Sequence, residues 1–163
     1  GADSTQDDQA RSAEHPGGDL TSPMAHAPHP PKAVLETALY AANLDKTAQF
    51  YKTVIGLEED SRVPGRHVFL RCETSMVLLF NPAATRESSG ALPVPPHGAT
   101  GQGHVCFRAE PGDMDAWSTR LPENGVQIEA DFHWPNGARS IYVRDPAGNS
   151  VEFAEPSLWG FRT

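Results

Sequence analysis

Positive charge is scarce in this chain. It has 13 Lys and Arg against 21 Asp and Glu, a formal net charge of −8. Nucleic acids and anionic membrane surfaces are met with basic patches, so neither is an expected partner. No run of about 18 apolar residues occurs, so no transmembrane helix is expected. The polar, acidic N-terminal stretch also lacks the apolar centre of a secretory signal. There are two cysteines, Cys72 and Cys106, and they fall in different predicted strands. They read as two reduced thiols in a cytoplasmic protein rather than as a disulfide framework. Residues 1–32 have almost no large apolar side chains and are rich in Asp, Gln, Ser, Gly and Pro, the composition of a disordered tail. His15, His26 and His29 in that tail read as solvated.

What remains is enough for one domain with a real core. Residues 33–41 read as a strand. Asp45–Ile55 has helical spacing, with Ala48, Tyr51, Val54 and Ile55 on one face, Asn43 or Asp45 to cap its start and Gly56 to end it. Strand-like runs follow at 57–62, 67–72 and 76–80. A Pro- and Gly-rich connection spans 81–102. The order then recurs: a strand at 103–108, a helix at 111–124, and strands at 126–134, 138–144 and 150–154. The chain therefore reads as two βαβββ modules, 33–80 and 103–155, with a C-terminal segment 156–163. Neither half alone buries both faces of its sheet, so the two must pack together. The expected class is α+β, with the modules forming a curved, open mixed sheet and helices on the outer face.

Three of these strands place a metal-competent side chain opposite their apolar residues. Glu152 lies between Val151 and Phe153 on the last strand. His104 opposes Val105 and Phe107, and Glu36 opposes Leu35. An ionised carboxylate on a sheltered sheet face needs a partner. Each residue also has a plainer reading, His104 as a satisfied strand histidine and Glu36 and Glu152 as rim carboxylates in water. Strand parity adds Tyr40 to the face of Glu36 and both Cys106 and Arg108 to that of His104, and puts Ser140 and Tyr142 on one face. Tyr142 can donate a hydrogen bond or act as an acid, or serve only as packing. His67, His97 and His133 read as loop or edge histidines. Trp117, Trp134 and Trp159 read as packing or rim residues.

The segments Asn43-Leu-Asp45, Phe50-Tyr51, Ile55-Gly-Leu57, Gly103-His-Val-Cys-Phe107 and Tyr142-Val-Arg-Asp-Pro-Ala-Gly-Asn-Ser-Val-Glu152 carry a family likeness. Over residues 33–155 the chain resembles the vicinal oxygen chelate superfamily of glyoxalase I, fosfomycin-resistance proteins, extradiol dioxygenases and bleomycin-resistance proteins. The resemblance implies metal ligands at Glu36, His104 and Glu152. It also implies substrate contacts at Ser140 and Tyr142, to which strand parity adds Tyr40 and Arg108, with Tyr142 and Glu36 in catalytic roles. One imidazole and two carboxylates suit a divalent Mn, Fe, Ni or Zn ion with open positions. The implied protein is a metal-dependent enzyme of the glyoxalase/dioxygenase type acting on a small-molecule substrate, assembled as a homodimer with Glu36 of one subunit facing His104 and Glu152 of the other. Two alternatives stay open: a metal-free binding protein of the bleomycin-resistance type, and a ring-cleaving dioxygenase. The departures from the family pattern are specific. Glu36 stands where His or Gln is usual, Ala38 stands where fosfomycin-resistance proteins carry Thr, and Met76-Val-Leu-Leu-Phe80 offers no fourth ligand.

Overall fold

The computed structural model describes residues 26–88 and 90–162. The chain divides into two units, 1–32 and 33–163. In the first unit, residues 26–32 form no helix or strand and are exposed; the rest of the expected tail, including His15, lies outside the described residues. The second unit is α+β and holds both expected βαβββ modules.

The first module comprises β1 (Glu36–Tyr40), α1 (Leu44–Phe50), β2 (Glu58–Val63), β3 (His67–Cys72) and β4 (Ser75–Phe80). Its sheet order is β1-β4-β3-β2, with β1 parallel to β4 and the other pairs antiparallel. A short helix α2 (Pro82–Thr85) follows, capped by the Asn81 side chain, which accepts from the Ala83 N–H. The second module comprises β5 (His104–Arg108), α3 (Met114–Glu123), β6 (Ala130–His133), β7 (Arg139–Arg144) and β8 (Ser150–Ala154). Its order, β5-β8-β7-β6, repeats that of the first. Each module thus has its own four-stranded open mixed sheet.

Strand alternation decides which face is buried. Leu39, Val68, Leu70, Val77 and Leu79 point one way from the first sheet, and Val105, Ile141, Val143, Val151 and Phe153 do the same from the second. All join one core with the helices. Helix α1 contributes Leu44, Thr47 and Ala48 at helical spacing, followed by Tyr51. Helix α3 contributes Met114 and Leu121, with Trp117 stacked on Phe153 at 4.3 Å. The opposite face of each sheet stays open, and Glu36 and His104 lie on these open faces.

Several elements differ from the sequence expectation. Asn43 does cap α1, accepting from Lys46 N–H at 3.1 Å. The helix does not continue as α to Ile55, however; residues Tyr51–Ile55 form a wider π turn, closed by Gly56 and Leu57 N–H groups that both donate to Tyr51 O. Gly56 at φ +94° ends it, a conformation that costs glycine little. The expected strand at 126–134 is only Ala130–His133. Val126 N–H instead closes the end of α3 by donating to Leu121 O, so that backbone is unavailable for sheet pairing. The 81–102 connection was read as turns throughout, yet it contains α2.

A buried polar network joins the two modules. Tyr51 donates its hydroxyl to Asp145 at 2.8 Å, and the Asn149 amide donates to Asp145 at 2.9 Å and to Tyr40 O at 3.3 Å. Gly103 N–H donates to the Asn149 side chain at 2.8 Å. All three side chains are buried. The Asp145-Pro-Ala-Gly-Asn149 turn therefore does more than reverse the chain between β7 and β8. It ties the end of β1 to the starts of β5 and β8, the strands that carry His104 and Glu152.

Candidate metal centre

On the open face of the second sheet, β5, β8 and β7 lie side by side, with Cys106 opposite Glu152 and Glu152 opposite Tyr142. Glu152 is 5% exposed, a carboxylate almost removed from water. Its Oε2 accepts the Ser140 hydroxyl at 2.7 Å, and Ser140 Oγ accepts the Trp134 indole N–H at 2.8 Å. Its Oε1 lies 3.3 Å from His104 Nε2.

The other ring nitrogen of His104 fixes the tautomer. Nδ1 sits 3.1 Å from Ser150 O, and a carbonyl only accepts, so Nδ1 carries the proton. In the neutral ring Nε2 is then a bare lone pair, and it faces a carboxylate oxygen. Two acceptors at that distance repel unless a cation lies between them, either a proton on Nε2 or a metal ion. The remaining atoms are already satisfied, Nδ1 by Ser150 and Oε2 by Ser140. Nε2 and Oε1 are the atoms that face each other, oriented by second partners as metal ligands are.

The neighbouring titratable groups stay neutral. Burial, reinforced by the hydrogen bond and charge of Glu152, pushes the Tyr142 phenol up to about 12. Burial and then the Glu152 charge push the Cys106 thiol up to about 12. Tyr142 is therefore a proton donor beside the carboxylate, and Cys106, although its residue is exposed at the surface, has its sulfur turned toward Glu152 and keeps its proton at neutral pH. The rings of His104, Tyr142 and Phe132 run nearly parallel across the face, with interplanar angles of 15° and 7°.

The sequence-derived residues separate into groups. His104, Glu152, Ser140 and Tyr142 come together. Glu36 begins β1 on the open face of the other sheet, and among the described residues no three His, Cys, Asp or Glu side chains form a metal-holding group. Glu36 instead borders a groove of about 630 Å³ beside Arg108 and Cys106. Arg108 is already engaged, donating to Glu110 at 3.0 Å and to Arg162 O at 2.7 Å. Tyr40 shares a hydrogen bond of 2.7 Å with His97, well along β1 from Glu36. Ser140 is fully buried and spends its hydroxyl on Glu152, so it orients that carboxylate rather than facing outward. Both cysteines are free thiols.

Trp134, expected only as a packing or rim residue, and the Ser150 carbonyl were not expected to orient the ligands. Trp134 had a signal, because it continues the Ala130–Phe132 parity that places it beside Ser140 across the β6–β7 pair. The Ser150 carbonyl had none, since a backbone atom leaves no residue-type signature.

The sites in the two modules are pseudo-equivalent but not equal. Glu36 pairs with Met76 as His104 pairs with Ser150, so Leu78 of β4 occupies the position that Glu152 holds in β8. The first module therefore offers one donor and the second offers two.

Among the described residues no helix is long and apolar enough to cross a membrane. A comparison with curated proteins finds no match. Several solved structures are similar. A lactoylglutathione lyase from Agrobacterium tumefaciens is 48% identical, covering 82% of this chain and 100% of that one, with a TM-score of 0.79. An integron cassette protein from the mobile metagenome of Halifax Harbour sewage outfall is 26% identical over 76% of this chain and 98% of its own, with a TM-score of 0.63. A glyoxalase/bleomycin resistance protein/dioxygenase from Nocardioides, 24% identical over 81% of this chain and 87% of its own, shares the fold with a TM-score of 0.63. The family model of the glyoxalase/bleomycin resistance protein/dioxygenase superfamily matches residues 33–153, and the chain belongs to that superfamily.

Proposed function

We propose that this protein is a metal-dependent enzyme acting on a small molecule, with His104, Glu152 and Glu36 holding a divalent Mn, Fe, Ni or Zn ion. The observation that carries the reading is the His104 Nε2–Glu152 Oε1 pair, two acceptors 3.3 Å apart, with His104 Nδ1 held by Ser150 O and Glu152 Oε2 by the Ser140 hydroxyl. When bound, such an ion supplies a Lewis acid that chelates substrate oxygens and stabilises an enolate or oxyanion.

The side chains divide the remaining work. His104 is held in one tautomer by Ser150 and presents Nε2. Glu152 is held by Ser140 and has no freedom to leave its position. Glu36 is the exposed carboxylate of the three, so it is the one able to accept a proton from substrate. Tyr142 keeps its proton to about pH 12 and donates a hydrogen bond to developing negative charge. The buried apolar Leu78 at the fourth-ligand position favours a three-ligand site over a four-ligand one. The likeness to a lactoylglutathione lyase supports lyase or transferase chemistry within the superfamily. Ring-cleaving oxygen chemistry is disfavoured by the second anionic ligand.

Glu36 does not join His104 and Glu152 within one chain, so the reading includes a homodimer in which Glu36 of one subunit completes the site of the other. The acidic balance and the two free thiols support a cytoplasmic location.

A second reading rests on the same atoms. A proton on Nε2 turns the pair into a hydrogen-bonded ion pair, leaving a metal-free cup that sequesters its ligand. Metal content after dialysis separates the two. The metalloenzyme reading expects near-stoichiometric divalent metal in wild type and in His26→Ala, and loss in His104→Ala. Equal retention in both variants, or no metal in wild type reconstituted with each ion, would sink it.

A further inference from the structure

The open face of the first sheet carries rings where the second sheet carries ligands. His67 and Phe69 stack in parallel at 4.0 Å on β3. Phe80 on β4 stands nearly perpendicular to Phe69 at 5.6 Å and to His67 at 6.0 Å. His97, from the connection after α2, reaches over to meet the Phe80 ring at 4.6 Å while its Nδ1 bonds the Tyr40 hydroxyl at 2.7 Å. Leu78 fills the gap on the same face. Burial pushes the His67 imidazole below its usual range, with Arg66 adding to the effect, which favours a neutral ring in this wall.

The cations on the two open faces are also already paired. Strand parity places three arginines there. Arg71 donates to Asp60 at 2.6 Å, Arg108 to Glu110 at 3.0 Å and Arg144 to Glu129 at 2.8 Å. An anionic ligand body, such as a tripeptide with two carboxylates, would have to displace a protein carboxylate to find a cation. A flat uncharged ring meets no such competition, and it gains edge-to-face and stacking contacts worth about 0.5–1.5 kcal/mol per aromatic pair beyond burial.

We propose that the cup selects substrates whose body is an uncharged aromatic or flat apolar group, with the first sheet of one subunit forming the wall that receives it. The proposal rests on the reading that Glu36, and hence this sheet, faces the His104–Glu152 pair. It narrows the substrate class within that reading, away from glutathione conjugates.

The test uses the full-length protein, with and without chelator, and two probes measured by titration calorimetry and ligand-observed NMR. One is 2-naphthol, an aromatic body without a chelating oxygen pair. The other is S-methylglutathione, an anionic body without a ring. The expected result is that 2-naphthol binds in both conditions, at least tenfold tighter than S-methylglutathione. Phe69→Leu keeps an apolar side chain and should keep the melting temperature, yet weaken 2-naphthol at least fivefold. Tighter binding of S-methylglutathione, or 2-naphthol affinity unchanged in Phe69→Leu, overturns the proposal. So does failure of 2-naphthol to bind together with a change of oligomer size in Phe69→Leu, since the wall would then be a contact between copies. Metal content is measured on the same samples. Naphthol binding by protein that takes up no divalent metal on reconstitution leaves this proposal standing and removes the metalloenzyme reading; stoichiometric metal without naphthol binding does the reverse.

Discussion

Ser140→Ala tests whether the Trp134–Ser140–Glu152 chain holds the carboxylate. The serine is fully buried, so removing its oxygen leaves no easy route for water. Glu152, 5% exposed, loses a hydrogen bond of 2.7 Å to a charged acceptor, worth about 1.5–3 kcal/mol. The Trp134 indole N–H loses its acceptor at 2.8 Å in a partly buried setting, which adds about 1 kcal/mol. The expected cost is about 3 kcal/mol, a fall of roughly 10 °C in melting temperature for a domain of this size. Trp134→Phe removes the donor together with part of the indole, so it should cost about 1 kcal/mol for the hydrogen bond plus the lost packing. The informative quantity is the cycle. Once Ser140 is gone, Trp134→Phe loses only the packing, so the hydrogen bond shows as a coupling of about 1 kcal/mol. Urea unfolding of the four proteins in chelator gives these numbers without a metal contribution. A cost below about 0.5 kcal/mol for Ser140→Ala, or strict additivity in the cycle, would show that Glu152 is not held this way.

Three further outcomes are expected. A thiol pushed from 9.0 up to about 12 carries roughly a thousandfold less thiolate at pH 8, so in Cys72→Ala the remaining Cys106 should alkylate with iodoacetamide far more slowly than a free cysteine. Glu152→Gln should speed that reaction, and because the folded-state value is raised, the associated stability is intact below pH 9 and lost as pH climbs toward 12; a rate equal to that of free cysteine would refute the assignment. Glu36→Ala and His104→Ala homodimers should each lack an intact metal site, while co-refolded mixtures regain one site of two in the heterodimer, because both lesions fall in the other; no recovery with heterodimers present would place all ligands within one chain. Deleting residues 1–32 should leave the melting temperature within a few degrees, since that stretch has too few apolar side chains to offset the entropy of ordering; a large drop would mean it packs on the fold.

Much of this architecture was readable from strand parity. Alternation put His104 and Glu152 each opposite the apolar residues of its own strand and Tyr142 with Ser140, and the register of β5, β8 and β7 brings these faces side by side. β3 and β8 match their predicted ranges because each is a clean alternation bounded by turn residues. The misses have physical causes. The π turn at Tyr51–Ile55 keeps helical apolar spacing, so periodicity alone reads it as more α-helix. Val126 and Ile128 look like strand residues because they are apolar and β-branched, but the end of α3 takes the Val126 N–H first. Ser140 was read as a substrate contact, and Arg108 as a substrate contact or a solvated strand end. Parity gives the face but not the partner, and both had nearer partners in Glu152 and Glu110.

The repeat within the chain also explains why the open faces of the two modules differ. Both sheets have the same strand order and the same parallel pairing of first and last strands, so equivalent positions can be compared directly. Where the second module has His104, the first has Glu36; where the second has Glu152, the first has Leu78. A buried carboxylate is tolerated in β8 because Ser140 and Trp134 supply a donor chain from β7 and the end of β6. In β3, Phe69 stands where β7 has Tyr142 and His67 where it has Ser140, so neither position offers a hydroxyl. A carboxylate at Leu78 would therefore be buried among aromatic rings with no hydroxyl to hold it as Ser140 holds Glu152, and its desolvation would cost several kcal/mol. Leu78→Glu should fail to create a four-ligand site and should lower the melting temperature, and adding His67→Ser should recover part of the loss.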